Sequence, residues 1–87
     1  RGHTRDEESS VEERDRMRLI HLGLNIAFYR KLQGKTQEQL AEHVGISAKY
    51  LSQIETASVA QPISLRLLFA LADAFGVPPA KLLEDER

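Results

Sequence analysis

The sequence predicts an all-α fold, a compact bundle of five helices, and three local patterns support this prediction. Serine or threonine residues stand directly before apolar runs, where they can cap helix N-termini. Glycine residues follow several of the same runs, as is typical of helix C-termini. Within the runs, apolar residues recur at intervals of three and four. The 87 residues are enough for one domain with one core.

The first predicted helix follows a polar N-terminal segment. Residues 1–9 are polar and charged without periodicity, so we expect a disordered tail there and one domain over residues 10–84. Residues 10–13 form a capping box, in which a serine hydroxyl caps the third amide and a glutamate reaches back. The expected helix spans about residues 11–32 and is ended by Gly34. Its inward face is expected to carry Leu19, Leu22, Ile26 and Tyr29.

Two short helices come next. Residues 36–39 form a second capping box, which opens a helix over 37–44. Gly45 ends this helix, because glycine enters the left-handed C-cap conformation without strain. Ser47 caps a third helix over 48–55. Two short helices joined by a tight turn that contains glycine are a helix-turn-helix unit.

The C-terminal half is expected to be more apolar. After a loop over 56–63, Ser64 caps a fourth helix that ends before Gly76 and is apolar nearly all round, which is typical of a buried helix. Pro78 and Pro79 then start a last short turn over 80–83.

Composition and charge exclude several classes of site. The chain contains no cysteine, so it has no thiolate nucleophile and no cysteine-based zinc site, and it suits a reducing, cytoplasmic compartment. The three histidines do not stand at metal-ligand spacing, so we expect no metal and no cofactor. No catalytic arrangement of residues is visible, which argues against an enzyme.

The net charge is −1, but residues 17–83 carry seven basic and four acidic side chains, a bias that permits DNA binding.

An ordered set of residues over 19–83 resembles the phage-repressor and Cro-like (XRE-type) family of helix-turn-helix regulators. The set comprises Ile26, Arg30 and Gly34 upstream; Thr36, Gln37, Leu40, Ala41, Val44, Gly45, Ile46, Ser47, Leu51, Ser52, Ile54 and Glu55 in the centre; and Leu68, Ala72, Phe75, Gly76, Val77 and Leu82 downstream. The resemblance implies a lambda-repressor-like bundle whose third helix, 48–55, reads double-stranded DNA in the major groove. It also implies a homodimer on DNA and no membrane partner.

A helical wheel of residues 47–55 indicates which side chains read the bases. Leu51 and Ile54 point into the bundle, whereas Lys49 and Gln53 lie four residues apart on the opposite side. Lysine can donate to guanine, and glutamine can pair bidentately with adenine. These outward residues match the base-reading positions of the family, and we expect base contacts from Ala48, Lys49, Ser52 and Gln53.

The resemblance also implies supporting roles outside the reading face. Gln37, at the start of the second helix, is expected to bond phosphate and to brace the recognition helix. Ser47 and Lys35 are further candidates for phosphate contacts. Arg30 and Glu55 are expected to form an internal ion pair that fixes the third helix against the first.

Two departures from the family pattern are expected to matter. The family commonly has glycine where this chain has Ala57, so the third helix should either end irregularly or run longer. The loop over 56–63 contains no lysine or arginine, which means fewer phosphate contacts, weaker binding by one copy and a greater need for a symmetric dimer.

The sequence leaves several alternatives open. Gln37 could be only the first residue of the second helix, without contacting phosphate. Lys49 and Gln53 could form a solvated face without reading DNA. The apolar excess of the fourth helix could be core or a dimer surface, and the long first helix could cover that surface or act as a dimerisation arm. The regulator hypothesis competes with a protein-interaction module, or an antitoxin-like partner, that uses the same bundle.

Overall fold

The computed structural model describes the backbone of residues 2–84 and the side chains of residues 12–84. Five helices and no strand occur in this range, which confirms the all-α five-helix prediction. The helices are α1 (Gly2–Leu32), α2 (Gln37–Val44), α3 (Ala48–Glu55), α4 (Leu65–Phe75) and α5 (Pro79–Leu82).

Helix α1 begins earlier than the sequence predicted. Its backbone is helical from Gly2, so the expected start near Val11 was wrong and Ser10 lies within the helix instead of capping it. No proline occurs in residues 2–10, so no residue there breaks the helical backbone. The backbone of residues 2–9 is helical and Arg1 lies outside the described residues, while the disorder expected over residues 1–9 stays a prediction. The start of the domain at residue 10 stays a prediction.

The predicted helix caps of the central region are present. Thr36 accepts from the amide of Gln39, whose side chain accepts from the Thr36 amide, and together these bonds close the capping box of α2. Ser64 caps α4 by accepting from the Leu67 amide at 3.1 Å. Gly45 ends α2 with φ 81°, a left-handed conformation that a residue with a Cβ rarely adopts. These short-range bonds fix where each helix begins and ends.

All five helices contribute to the core: α1 packs against α3, α4 and α5, and α2 packs against α3 and α4. Of the four residues expected on the inward face of α1, two are fully buried and Leu19 and Tyr29 are half-buried against the core. The Tyr29 ring stacks on Phe75 of α4, with centroids 5.6 Å apart. The buried apolar cluster consists of Leu22, Ile26, Leu40, Ala41, Leu51, Ile54, Leu67, Leu68, Leu71, Ala72, Phe75 and Leu82.

Helix α4 is only partly buried, which corrects the expectation from its composition. Leu65 is 68% exposed and Phe69 is 49% exposed, whereas Leu71 and Ala72 are fully buried. With 11 residues α4 has an outer side that no neighbouring helix covers, although its sequence is apolar there too.

Two residues of α1 make long-range contacts that no local pattern in the sequence indicated. Gly23 is buried where α1 meets α3, and a Cβ at this position would overlap the carbonyl oxygen of Ile54. Asn25 is 3% exposed and donates from Nδ2 to the carbonyl of Leu82 at 2.9 Å and to the carbonyl of Glu84. These contacts attach both α3 and the end of α5 to the first helix.

The C-terminal end of α3 settles the question raised by Ala57. The helix ends at Glu55, and its C-cap, Thr56, has extended geometry (φ −79°, ψ 120°) instead of the left-handed conformation. The Thr56 hydroxyl donates to the Ser52 carbonyl at 2.7 Å and satisfies one of the helix-end acceptors. The irregular end is therefore the one observed.

Helix α5 begins at Pro79, one residue before the predicted last turn. Among the described residues, no helix is both long and apolar enough for a membrane span.

Candidate nucleic-acid interface

Helix α3 is positioned by a cap at one end and by apolar anchors along one side. Ser47 Oγ accepts from the Tyr50 amide at 3.0 Å and starts the helix directly after the turn. Leu51 and Ile54 are 0% and 2% exposed and insert into the core. With this side fixed, the orientation of the opposite side follows from the helical repeat.

The outward face of α3 carries the predicted reading residues. Lys49 and Gln53 are both exposed, and Ser52 beside them is half-buried. Ala48 is also half-buried and packs partly against the core, so only part of its methyl group faces outward. The structure thus brings an ammonium group and a carboxamide together on one accessible surface of a short helix.

Behind α3, Arg30 and Glu55 form a bidentate ion pair. Arg30 Nε donates to Glu55 Oε2 at 2.8 Å, and Arg30 Nη2 donates to Glu55 Oε1 at 2.9 Å. The two side chains are only 10% and 5% exposed. The remaining guanidinium nitrogen, Nη1, donates to the Lys35 carbonyl at 2.7 Å. Parallel bonds of this kind hold both orientation and distance, so the pair ties the end of α3 to α1 and to the loop after α1.

Gln37 joins the same network from the start of α2. Its Nε2 donates to Glu55 Oε1 at 2.9 Å, so this carboxylate accepts three hydrogen bonds. Pairing with Glu55 is the main reason that the pKa of Arg30 lies above its ordinary value, although burial opposes the effect. The carboxamide nitrogen of Gln37 keeps a second hydrogen that can be donated outward.

The other two phosphate candidates are placed less directly. Ser47 is exposed, but its hydroxyl oxygen already accepts from Tyr50, so the hydroxyl hydrogen is the part left for a ligand. Lys35 is half-buried, and its backbone carbonyl is occupied by Arg30. Gln37, Ser47 and Lys35 stand at or just before the N-terminal ends of α2 and α3.

A feature missed in the sequence lies on the other side of α3. The Tyr50 hydroxyl donates to the Pro62 carbonyl at 3.3 Å and so holds the long loop against the helix. Tyr50 also lines a cavity of about 260 Å³ between the tight turn and α4, together with Ser64 and the exposed Arg66. The proximity of Arg66 to α3 depends on how the loop over 56–63 folds, which no local pattern in the sequence indicates. In the part of the chain with described side chains, no group of three histidine, cysteine or acidic residues is arranged to hold a metal ion.

Comparison with known proteins agrees with this geometry. A family model described as helix-turn-helix matches residues 26–82, which is most of the chain. The chain belongs to the helix-turn-helix family, and the resemblance to its XRE-type members is confirmed. The match begins at the buried Ile26 and ends at Leu82, so it includes α2 to α5 and the C-terminal part of α1.

Three solved helix-turn-helix structures are similar to this chain. The N-terminal DNA-binding domain of SinR from Bacillus subtilis has a TM-score of 0.69 at 31% identity, covering 78% of this chain and 97% of that one. The restriction-modification controller protein C.AhdI from Aeromonas hydrophila has a TM-score of 0.66 at 28% identity, covering 74% and 94%. The clp gene regulator ClgR from C. glutamicum has a TM-score of 0.65 at 30% identity, covering 79% and 83%.

A curated relative is much longer than the region it shares with this chain. The propionyl-CoA carboxylase regulator of Cereibacter sphaeroides is 36% identical over 67 residues, which is 77% of this chain but 14% of that protein. The similarity therefore concerns only a small part of that regulator.

Proposed function

We propose that this chain is the DNA-binding domain of a transcriptional regulator of bacterial or phage type, and that α3 enters the major groove of double-stranded DNA. The observation that carries the proposal is the division of α3 into two faces. Leu51 and Ile54 are buried, while Lys49 and Gln53 are exposed. The major groove accepts an α-helix, and each base pair displays a distinct pattern of donors and acceptors there.

The proposed base contacts follow from the chemistry of the outward face. Lys49 would donate to O6 and N7 of guanine, and Gln53 would pair with N6 and N7 of adenine. The Ser52 hydroxyl can donate or accept beside them. The exposed part of the Ala48 side chain suits the methyl group of thymine.

The proposed phosphate contacts come from residues around the reading face. Gln37, Lys35 and Ser47 offer an amide, an ammonium and a hydroxyl donor near two helix N-termini, which favour an anion. Arg66, which is exposed and lines the cavity beside α3, would partly offset the absence of basic residues from the loop over 56–63. A small number of phosphate contacts supports a modest affinity for each copy.

Two copies are therefore proposed to bind one site as a homodimer in the cytoplasm, without a cofactor and without catalysis by this domain. Symmetric binding would place the two recognition helices about 34 Å apart, one turn of the duplex. The control of propionyl-CoA carboxylase by the longer relative is not carried over, because the match covers 14% of that protein.

A titration of fluorescently labelled random duplex, followed by anisotropy at about 50 mM and about 200 mM salt, tests DNA binding. A chain that contacts phosphates binds more tightly at the lower salt, because the counterions it displaces from the DNA are released into a more dilute solution. Anisotropy that stays flat at both salt concentrations contradicts the proposal.

A second candidate function is a protein-interaction module, or antitoxin-like partner, built on the same bundle. The net charge of −1 and the loop without basic residues favour this candidate. Flat anisotropy in the same titration would support it, whereas salt-dependent binding favours the regulator.

A further inference from the structure

The cavity of about 260 Å³ between the tight turn and α4 has an apolar wall. Val44 and Ile46 line it from the turn, and Leu67 and Ala70 line it from α4. Three of these residues, Val44, Ile46 and Ala70, are half-buried, so part of their apolar surface is not covered by the protein. We name this space the turn cavity. Its wall suits an apolar group of a ligand.

Polar side chains line the turn cavity toward the start of α4. Ser64 caps this helix, and Arg66 belongs to its first turn. The Tyr50 hydroxyl reaches the carbonyl of Pro62, two residues before Ser64. Ala70 lies one helical turn beyond Arg66. The hydrogen-bond donors and the apolar wall therefore extend in different directions from the first turn of α4.

Two of these donors are available to a ligand. Arg66 is exposed and forms no ion pair with any residue whose side chain the structure describes. Ser64 Oγ accepts from the Leu67 amide at 3.1 Å, which leaves the hydroxyl hydrogen to donate. A cation beside a hydroxyl donor favours an anion at this end of the turn cavity.

Tyr50 is a third donor, held by a bond that can be exchanged. Its hydroxyl donates to the Pro62 carbonyl over 3.3 Å, which is long for a bond between two oxygen atoms. The same carbonyl accepts from Gln61 Nε2, also at 3.3 Å. The Tyr50 hydrogen can therefore turn toward a ligand while the Pro62 carbonyl keeps a donor.

We propose that the turn cavity binds a short-chain aliphatic carboxylate. The carboxylate accepts from Arg66, Tyr50 and Ser64, and the hydrocarbon tail lies against the apolar wall. At about 30 Å³ for each water-sized group, the volume holds about eight non-hydrogen atoms, the number in hexanoate. Inorganic phosphate would satisfy the donors and leave the wall uncovered, so the wall selects an anion that carries an apolar tail.

A ligand in the turn cavity would also weaken DNA binding. Arg66 is a proposed source of a phosphate contact, and the Tyr50 hydroxyl holds the loop over 56–63 against α3. A bound carboxylate competes with DNA for Arg66 and draws the Tyr50 hydroxyl away from the loop. This consequence rests on the proposed function, whereas binding of the carboxylate does not.

The test is a titration of the full chain with hexanoate at about pH 7 and constant ionic strength, followed by the amide chemical shifts in ¹H–¹⁵N NMR spectra. The amides of Val44, Ile46 and Ala70 should shift and saturate with a dissociation constant of about 1–10 mM, as expected for so small a ligand. Acetate lacks the tail and should bind at least about tenfold more weakly. Hexanamide lacks the charge and should bind about three- to tenfold more weakly.

Three substitutions locate the ligand in the turn cavity. Arg66→Gln should raise the hexanoate dissociation constant about three- to tenfold, and Tyr50→Phe about two- to fivefold. Ala70→Phe should abolish saturable binding, because its ring occupies the place of the tail. Arg14→Gln is the matched control: it makes the same change at an exposed position of α1 and should leave the dissociation constant as in the wild type.

Circular dichroism of each variant checks that the bundle is folded, and the exposed position of Arg66 keeps the test decisive even if Ala70→Phe unfolds the chain. Shifts that do not saturate by about 100 mM hexanoate would overturn the proposal. Equal affinities for hexanoate and hexanamide, or for hexanoate and inorganic phosphate, would also overturn it. A chain that binds hexanoate but not random duplex contradicts the regulator function and leaves this site intact.

Discussion

Gly23 in α1 lies directly against the backbone carbonyl of Ile54 at the end of α3. A Cβ at Gly23 would overlap that oxygen and would also lie 3.1 Å from the Ile54 carbonyl carbon and 3.7 Å from Glu55 Cα. The two backbones therefore touch without an intervening side chain. Seven residues further along the same face of α1, Arg30 holds the Glu55 carboxylate. The depth and orientation of α3 are set by these two points.

Gly23→Ala should destabilise the domain by about 1–3 kcal/mol, because the added methyl group meets backbone that no rotamer change can move. The free energy of unfolding in urea measures this effect. Leu32→Ala on the same helix, at a position 69% exposed, should cost less than about 0.5 kcal/mol. Equal unfolding midpoints for Gly23→Ala and the wild type would show that α1 and α3 are not in contact there.

Arg30→Met should cost about 3–5 kcal/mol, because it leaves the nearly buried Glu55 carboxylate without its cation. The double variant R30M/E55M should cost less than the sum of the two single changes, since no unpaired charge remains inside. Urea unfolding of the four proteins gives the coupling energy. Strictly additive costs would contradict a direct ion pair.

The same pair should be insensitive to pH near neutrality. Glu55 raises the pKa of Arg30 above its ordinary value, so the contribution of Arg30 is fully present below that ordinary value. It is lost only as the pH rises through the raised pKa. The stability difference between the wild type and R30M/E55M, which leaves no unpaired carboxylate inside, should therefore be constant from about pH 6 to about pH 9. A difference that fell steadily over this range would contradict the assignment.

Asn25→Asp should destabilise the domain by about 1–3 kcal/mol, because a carboxylate cannot donate to the carbonyls of Leu82 and Glu84. The loss should shrink at low pH, where a protonated aspartate again has one hydrogen to donate. Thermal unfolding of Asn25→Asp at about pH 7 and about pH 4 checks this. No recovery relative to the wild type at the lower pH would argue against the proposed donation.

The parts of the fold that were predictable from the sequence are those fixed by local bonds. The boxes and caps at Thr36, Ser47 and Ser64 act over three residues, so their spacing was sufficient to place α2, α3 and α4. The face of α3 was also predictable, because its burial follows from the helical repeat of Leu51 and Ile54. The capping box at 10–13 predicted the wrong start for α1, because the helix begins at Gly2 and continues through residues 10–13.

The long-range contacts could not be read from local patterns. No local pattern distinguishes Gly23 from other helix glycines, because its role depends on contact with Ile54, which lies far along the chain. Asn25 bonds backbone 57 residues away, and no spacing rule indicates such a partner. The Arg30 and Glu55 pair was reached only through the family resemblance, because two isolated charges 25 residues apart carry no signal of their own. The proposed DNA contacts stay predictions.

Gln37→Ala should weaken binding to a selected DNA site and to random duplex by the same factor, because a phosphate contact carries no sequence information. It should also lower the free energy of unfolding by about 1 kcal/mol through loss of the bond to Glu55. Anisotropy titrations on both duplexes, with urea unfolding beside them, separate the two effects. A loss confined to the selected site would instead make Gln37 a reader of bases.

The most direct test of the central claim, that the exposed face of α3 reads DNA, compares Lys49→Ala and Gln53→Ala on a duplex selected from a random pool. Each substitution should cost about 1–3 kcal/mol of binding free energy on that site and much less on random duplex. Lys81→Ala removes an equal charge from α5 and should bind the selected site as the wild type does. If both α3 variants also bound that site with wild-type affinity, α3 would not be the recognition helix.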